Sequence, residues 1–232
     1  SIIIVGGGVI GCEFASMLNA FGVKVTVVEL LDRLLPLEDE EISKALSKHF
    51  EKAGIAVNTG VKVENVAVQS DAVTCDVAGQ KLSADMMLVA VGRATNVPNI
   101  GLETAGVKVE KNTVVVDDRM QTSVPGIYAI GDITGKAQLA HVASAQAHVA
   151  ADNATGARAQ MDYRLVPNCI FTMPEIGTAG LNAAAAAQAG YTVTIGSFPY
   201  MALGKALAIG QPDGFYRIVA DAKTDEILGV QI

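Results

Sequence analysis

The chain opens with SIIIVGGGVIG, residues 1–11, and this stretch predicts the fold. Ile2 to Val5 form a short apolar run, which is typical of a strand buried on both faces of a sheet. A helical pattern from Val9 to Phe21 begins directly after the glycines, and Gly22 is its stop signal. Because Val23 to Val28 predicts a second strand, the sequence begins with a β-α-β unit.

The turn between strand and helix has the pattern Gly-x-Gly-x-x-Gly. The first glycine permits a tight turn, the second lets a pyrophosphate approach the backbone, and the third lets helix and strand pack closely. The helix N terminus adds free N–H groups and a partial positive charge. The pattern therefore predicts a dinucleotide phosphate site formed by Gly6, Gly8, Val9, Ile10 and Gly11.

An acidic residue, Glu29, ends the second predicted strand, close to the interval of about 20 residues expected for dinucleotide-binding folds. A carboxylate there accepts hydrogen bonds from the adenosine ribose hydroxyls and repels a 2′-phosphate, which an arginine would bind. The sequence therefore favours NAD(H) over NADP(H). Arg33 lies near enough to affect this choice, and we expect it to be a solvated loop residue.

Composition excludes several classes of protein. Half of the 232 residues are hydrophobic and only 18% are charged, which excludes a disordered chain. The net charge of −7 argues against nucleic acid as a partner, because phosphate binding needs a basic surface. The uncharged stretch over 176–204 is interrupted by glycines, so we expect buried helix and strand there and no membrane partner. Acidity and the lack of a signal segment predict a cytoplasmic protein.

Three scattered cysteines lack any disulfide-framework or metal-ligand spacing, so no metal site is predicted. We expect Cys12 and Cys169 to be small core residues and Cys75 to lie in a meander.

The rest of the chain predicts a mixed α/β fold. In the first helix, Phe14, Leu18 and Phe21 are expected to form the apolar face. The later predicted elements are a helix over 39–53, a strand over 55–57, an antiparallel meander over 61–82, buried strands over 86–91 and 127–130, a helix over 138–151, and an α+β module with a helix near 181–189 and strands near 192–198, 214–220 and 227–232.

A second motif, TSVPGIYAIGD, spans residues 122–132. Its buried strand would deliver Asp132 to the carboxyl end of a sheet, where open α/β sheets bind ligands. The carboxylate could accept hydrogen bonds from a polyol, and the alternative is a plain helix N-cap. Residues 138–141 open the next helix, whose N terminus could stabilise negative charge on a reduced ring system.

The order of these segments resembles the pyridine nucleotide-disulfide oxidoreductases. The resemblance rests on GGGVIG, VTVVE, AVGRATN (90–96), TSVPGIYAIGD and LAHVASAQ (139–146). The later segments VPNCIFTMPEIG (166–177) and DGFYRIVADAKTDEILGVQI (213–232) look most like the dihydrolipoamide dehydrogenase branch of that family. The resemblance implies an α/β chain with a Rossmann-like NAD-binding domain and its meander over 1–117, the C-terminal part of an FAD-binding domain over 118–160, and a truncated α+β dimerisation domain over 161–232.

Site residues follow from the same resemblance. Glu13 matches a glutamate that pairs with a lysine beside the flavin, and Val63 and Gly92 match positions that line the NAD site. The residues expected at FAD are Gly131 and Asp132 at the ribitol, and the backbone of Gln138, Leu139, Ala140 and His141 at the isoalloxazine.

The implied activity is the reaction of dihydrolipoamide with NAD⁺ to give lipoamide and NADH, in a homodimer served by the dihydrolipoamide-carrying protein of a 2-oxoacid dehydrogenase or glycine cleavage complex. The chain holds neither the family's CxxxxC redox disulfide nor its C-terminal His-Glu pair, so no catalytic residue is assigned. We expect a fragment that is inactive alone. The alternatives are another FAD- and NAD(P)H-dependent disulfide reductase, of the mercuric reductase or soluble transhydrogenase type, and a non-catalytic dinucleotide-binding module.

Overall fold

The computed structural model describes residues 1–232, which form two compact units. The first unit combines residues 1–92 with residues 167–232, and the second comprises residues 93–166. These limits differ from the domain boundaries implied by the family resemblance, which remain a prediction.

Fourteen strands and five α-helices make up the two units. The elements of residues 1–92 are β1 (Ile2–Val5), α1 (Val9–Ala20), β2 (Val25–Val28), α2 (Glu40–Lys52), β3 (Ala56–Asn58), β4 (Val63–Val68), β5 (Val73–Val77), β6 (Gln80–Ala84) and β7 (Met86–Val89). The later elements are β8 (Val109–Glu110), β9 (Thr113–Val114), α3 (Ala140–Ala154), β10 (Pro167–Ile170), β11 (Ile176–Gly180), α4 (Ala183–Gln188), β12 (Val193–Pro199), α5 (Gly204–Ala208), β13 (Phe215–Asp221) and β14 (Ile227–Gln231).

A four-stranded parallel sheet of order β3-β2-β1-β7 confirms the predicted β-α-β unit. Its core contains Ile4 and Val27 from the strands and Leu46 and Phe50 from α2, all fully or nearly fully buried. The prediction of a buried strand at 86–91 was wrong, since β7 ends at Val89 and lies at the edge of the sheet with that side chain exposed.

The buried face of α1 consists of small residues. Of the predicted apolar residues, Leu18 packs against the core, whereas Phe14 and Phe21 are exposed, so the prediction was wrong for the two phenylalanines. The buried residues of the helix are Gly11, Cys12, Ala15 and Ser16. No side chain fits at Gly11, because a Cβ there would lie 1.9 Å from the Gly6 carbonyl oxygen.

The predicted meander is confirmed. Strands β4, β5 and β6 form an antiparallel sheet. Cys75 and Val77 of this sheet pack with Ile3 and Val28 of the parallel sheet, so the meander and the parallel sheet share a core.

The last third of the chain forms a five-stranded antiparallel sheet of order β10-β11-β14-β13-β12. Ile170 and Ile176 from this sheet are buried in the same cluster as Ile4 and Val27, and Phe215 packs against that cluster. The antiparallel sheet is therefore joined to the parallel sheet by a shared apolar core.

The second unit is built around α3 and a cluster that includes Val107, Val114 and Met120. The predicted buried strand at 127–130 was wrong, because only Tyr128 forms a bridge, to Gln121, and no neighbouring strand extends the pairing. No helix in the structure has the length and apolar character needed to cross a membrane.

Candidate functional site

The carboxyl edge of the parallel sheet gathers the residues predicted for NAD. Val5 of β1 pairs with Val28 of β2 and with Val89 of β7, so the chain leaves all three strands at the same edge. The glycine turn, Glu29 and Gly92 follow these strands. The N–H of Val61 donates to the Glu29 carbonyl oxygen at 3.1 Å, which brings the beginning of β4, with Val63, toward the same edge.

The three motif glycines meet different surroundings. Gly6 has φ +111°, and a Cβ there would lie 2.3 Å from the Ala90 carbonyl oxygen. A Cβ at Gly11 would lie 1.9 Å from the Gly6 carbonyl oxygen, whereas one at Gly8 would meet nothing within 4 Å. Gly6 and Gly11 are thus fixed by internal packing, and Gly8 leaves open space at the N terminus of α1. No side chain caps that terminus. The N–H groups at Gly8, Val9 and Ile10 therefore fit a phosphate.

Glu29 is the buried acid of this edge, with only 8% of the residue exposed. Its Oε2 accepts a hydrogen bond from the Gly7 N–H at 2.5 Å, and its Oε1 accepts one from the Leu31 N–H at 2.7 Å. Each carboxylate oxygen keeps a further lone pair for a hydroxyl donor. Gly7 was missed by the sequence reasoning, and the run of three consecutive glycines is the signal that could have revealed it.

The loop of residues 30–39 packs over the glycine turn. The Leu35 N–H donates to the Gly7 carbonyl oxygen at 2.8 Å, and the Leu34 side chain occupies the space that a Cβ at Gly7 would need. Arg33 is half-buried and its Nη2 donates to the Pro36 carbonyl oxygen at 3.0 Å, so the expectation of a solvated arginine was wrong. The loop satisfies this guanidinium partly within itself.

Cys12 lies directly below the turn. It is fully buried, as predicted, and its Sγ donates to the Gly7 carbonyl oxygen at 3.3 Å. Burial, together with the nearby carboxylates of Glu29 and Glu13, raises the pKa of the Cys12 thiol to about 12. Cys75 is buried in the meander, as expected, whereas Cys169 is exposed and the prediction of a core position for it was wrong.

Glu13 faces a different segment of the first unit. Its Oε1 accepts a hydrogen bond from the Phe171 N–H at 2.8 Å. One turn further along α1, the Ser16 Oγ accepts from the Met173 N–H at the same distance. The helix therefore holds the backbone of residues 171–173, and a pairing of Glu13 with a lysine beside the flavin stays a prediction.

The residues predicted for FAD lie in the second unit. A 3₁₀ helix spans Gly131–Thr134, and its N-cap is Ile130. Asp132 therefore lies within the first turn, and the alternative of a plain N-cap was wrong. The Asp132 Oδ2 accepts a hydrogen bond from the Arg93 Nη2 at 2.5 Å, which orients a carboxylate that remains partly exposed.

A buried amide supports this turn from below. Gln146 on α3 is fully buried, and its Oε1 accepts a hydrogen bond from the Gly131 N–H at 2.6 Å. Its Nε2 donates to the Tyr163 hydroxyl at 2.8 Å. Sequence reasoning missed Gln146, since a glutamine in an alanine-rich helix gives no signal of burial.

The N terminus of α3 begins at Ala140, after the N-cap Leu139, and no side chain caps it. Gln138, Ala140 and His141 are exposed at this end of the helix. The structure thus presents the four predicted backbone positions at one helix N terminus, where an anionic group is stabilised by the helix dipole.

Comparison with known proteins places the chain in a family. The model described as "Pyridine nucleotide-disulphide oxidoreductase" matches residues 1–147, and the model of that family's dimerisation domain matches residues 166–232. The chain belongs to the pyridine nucleotide-disulphide oxidoreductase family. The family resemblance and the α/β fold class predicted from the sequence are thereby confirmed.

Relatives and solved structures agree with this assignment. The chain is 47% identical to the dihydrolipoyl dehydrogenase of Bacillus subtilis over 100% of its own length, and 47% identical to that of Mycobacterium leprae over 99%. It spans 50% of each of these relatives. Among solved structures, the HOCl-induced flavoprotein disulfide reductase RclA from Escherichia coli is 29% identical with a TM-score of 0.90, and the chain covers 54% of it. LpdA from Mycobacterium tuberculosis is 29% identical with a TM-score of 0.91, and the chain covers 51% of it.

Proposed function

We propose that the protein to which this chain belongs is a dihydrolipoyl dehydrogenase, which oxidises dihydrolipoamide and reduces NAD⁺. The observation that carries the proposal is the 47% identity with relatives of that name along the whole chain. The geometry of the sheet edge supports its nucleotide half, since an open glycine turn and a buried acid lie together there.

In this proposal, the chain binds NAD(H) and discriminates against NADP(H). The turn at Gly6, Gly8 and Gly11, with the N–H groups of Val9 and Ile10, would hold the pyrophosphate. Glu29 would accept hydrogen bonds from the adenosine ribose and repel a 2′-phosphate, because two backbone amides already fix its carboxylate at the edge. Val63 and Gly92 would flank the nucleotide.

The second unit would hold part of FAD, which when bound supplies the redox step between dithiol and nicotinamide. Asp132 would accept hydrogen bonds from the ribitol hydroxyls, next to Gly131, with Arg93 orienting the carboxylate. The backbone of residues 138–141 would lie at the ring system, where the α3 dipole favours negative charge. By the family resemblance, Glu13 would be a supporting residue on the flavin side.

The last third of the chain indicates how the protein would assemble. Residues 166–232 match the family's dimerisation domain, so we propose a homodimer. The partner that presents the substrate would be a dihydrolipoamide-carrying protein of a 2-oxoacid dehydrogenase or glycine cleavage complex. In domain terms, the NAD-binding part would be residues 1–117, the FAD-binding part residues 118–160, and the interface part residues 161–232.

The test is a steady-state assay of the whole protein with dihydrolipoamide and either NAD⁺ or NADP⁺. We expect NADH formation, a preference for NAD⁺, and loss of that preference in Glu29→Gln. Glu103→Gln, an exposed acid in the second unit, is the matched control and should keep it. Absence of activity with dihydrolipoamide, together with reduction of another disulfide, would instead favour a different reductase of the family.

A further inference from the structure

The loop of residues 30–39 carries a strained residue at the nucleotide edge. Leu35 is 2% exposed and has φ +47°, a left-handed backbone conformation that is unfavourable for leucine. Its N–H nevertheless donates to the Gly7 carbonyl oxygen, and the Leu31 N–H fixes Glu29. Such a conformation persists only where the surroundings determine it. The loop is also anchored at a second point.

That second point is the antiparallel sheet. At the end of the loop, the Asp39 Oδ1 lies 3.5 Å from the Arg217 Nη1, and these side chains are 7% and 16% exposed. The adjacent Glu38 Oε1 accepts a hydrogen bond from the Asn168 Nδ2 at 2.8 Å. Asp39 also accepts from the Glu41 N–H and so caps α2, which means that the loop and the helix start from one anchored residue.

The pleat of the sheet explains why these residues reach the loop. Side chains two apart in a strand point to the same face. Asn168 therefore shares a face of β10 with Ile170, and Arg217 shares a face of β13 with Phe215. Ile170 and Phe215 pack in the core beneath the parallel sheet. The core packing of Ile170 and Phe215 holds the two sheets together. Asn168 and Arg217 lie beside these residues, and their polar contacts hold the loop to the same sheet.

We propose that Arg217, assisted by Asn168, is a positioning residue for the dinucleotide site. The ion pair with Asp39 holds the loop of residues 30–39 against the glycine turn, and the loop in turn holds Gly7 and the Glu29 carboxylate in place. Nucleotide affinity and the choice between NADH and NADPH then depend on a residue of the segment that matches the dimerisation model. The inference rests on the NAD(H) part of the proposed function.

The test is a titration of the 232-residue chain and its variants with NADH and NADPH, followed by nucleotide fluorescence. Arg217→Met removes the charge and keeps most of the side-chain volume, and Asp39→Asn removes the partner charge but keeps a good helix N-cap. Arg217→Lys is the conservative rescue. Asp213→Asn is the matched control, because the exposed Asp213–Lys52 pair joins the C-terminal end of α2 to the same part of the chain without touching the loop. The midpoint of urea unfolding, measured for every variant, shows independently whether that variant is folded.

We expect Arg217→Met and Asp39→Asn each to weaken NADH binding roughly threefold to tenfold. Each should also reduce the ratio of the affinity for NADH to the affinity for NADPH. The double variant should bind no worse than either single one, since both break the same link. Asp213→Asn and Arg217→Lys should bind as the unaltered chain does.

Unchanged NADH affinity in Arg217→Met, additive effects in the double variant, or an equal loss in Asp213→Asn would overturn the inference while leaving the proposed function intact. An unaltered chain that binds neither nucleotide would overturn both. If Arg217→Met does not fold, Asp39→Asn with an unchanged NADH/NADPH ratio would also count against the inference.

Discussion

The Glu29 carboxylate accepts a hydrogen bond from the Gly7 N–H at 2.5 Å, so the acid that would select the nucleotide and the turn that would bind its phosphates are one structural unit. The second carboxylate oxygen is held by the Leu31 N–H. A change at Glu29 therefore affects the fold of the edge as well as its selectivity.

Glu29→Gln should destabilise the chain by about 1–3 kcal/mol, because either the buried Gly7 N–H or the part-buried Leu31 N–H would face an amide NH₂ in place of an acceptor. Urea unfolding followed by circular dichroism measures this loss. Glu103→Gln, which is exposed, should stay within about 0.5 kcal/mol of the unaltered chain. Equal midpoints for the two variants would contradict the account of the Glu29 contacts.

Two glycines of the same motif should respond differently. Gly11→Ala would force a Cβ onto the Gly6 carbonyl oxygen and should cost about 1–3 kcal/mol or more of stability. Gly8 is the N-cap of α1 and a Cβ there meets open space, so Gly8→Ala should cost at most about 1 kcal/mol, through the loss of a favourable N-cap residue. Its NADH affinity should nevertheless fall about tenfold, since the methyl group intrudes where charge-assisted hydrogen bonds to phosphate form. Calorimetric titration with NADH and urea unfolding separate the two effects.

Gln146→Leu should destabilise the second unit by about 1–3 kcal/mol, because the Gly131 N–H would lose its buried acceptor. Gln146→Glu keeps an acceptor for Gly131 but buries a carboxylate without a cationic partner, so it should also be destabilising. Gln188→Leu changes an exposed helical glutamine and serves as the control. Thermal unfolding monitored by circular dichroism should place both Gln146 variants below the control, and an unchanged melting temperature in Gln146→Leu would count against the supporting role.

The cysteines should differ sharply in reactivity. Iodoacetamide at pH 8 should modify the exposed Cys169 in the native chain and spare Cys12 and Cys75, which are fully buried. Peptide mass mapping identifies the alkylated residue, and the chain in urea should be alkylated at all three. Rapid native modification of Cys12 would show that the packing below the turn is looser than described.

Stability should also depend on the Cys12 thiol at high pH. Its pKa is about 12 in the folded chain against an ordinary value of 9.0, so the folded chain holds the proton more tightly. The resulting stabilisation is complete below pH 9 and is lost as the pH rises toward 12, by at most about 1.4 kcal/mol per pH unit. Urea midpoints between pH 8 and 11 should therefore fall more steeply for the unaltered chain than for Cys12→Ser.

Local patterns were enough to predict the strands and the glycine turn at the carboxyl edge of the parallel sheet. The apolar run of β1, the glycine turn and Glu29 lie close together in sequence, and each is dictated by short-range geometry. The meander and the family were equally accessible, because alternation and motif order are visible along the chain.

Long-range packing explains what the sequence could not show. Whether Phe21 faces the core or solvent depends on how closely α1 approaches the sheet, and whether residues 127–130 become a strand depends on a neighbour to pair with. Asp39 and Arg217 are distant in sequence, and nothing in either local pattern indicates that they meet. The sequence does not reveal the partner of Arg33, because its acceptor, the Pro36 carbonyl oxygen, comes into reach only in the folded loop.

We propose that the carboxyl edge of the parallel sheet is a dinucleotide site and that Glu29 directs it toward NAD(H). A fluorescence titration of the 232-residue chain with NADH and, in parallel, with NADPH tests both parts of this proposal. We expect saturable binding of NADH and markedly weaker binding of NADPH. A preference for NADPH would show that Glu29 does not select the nucleotide, and binding of neither would show that this edge is not a dinucleotide site.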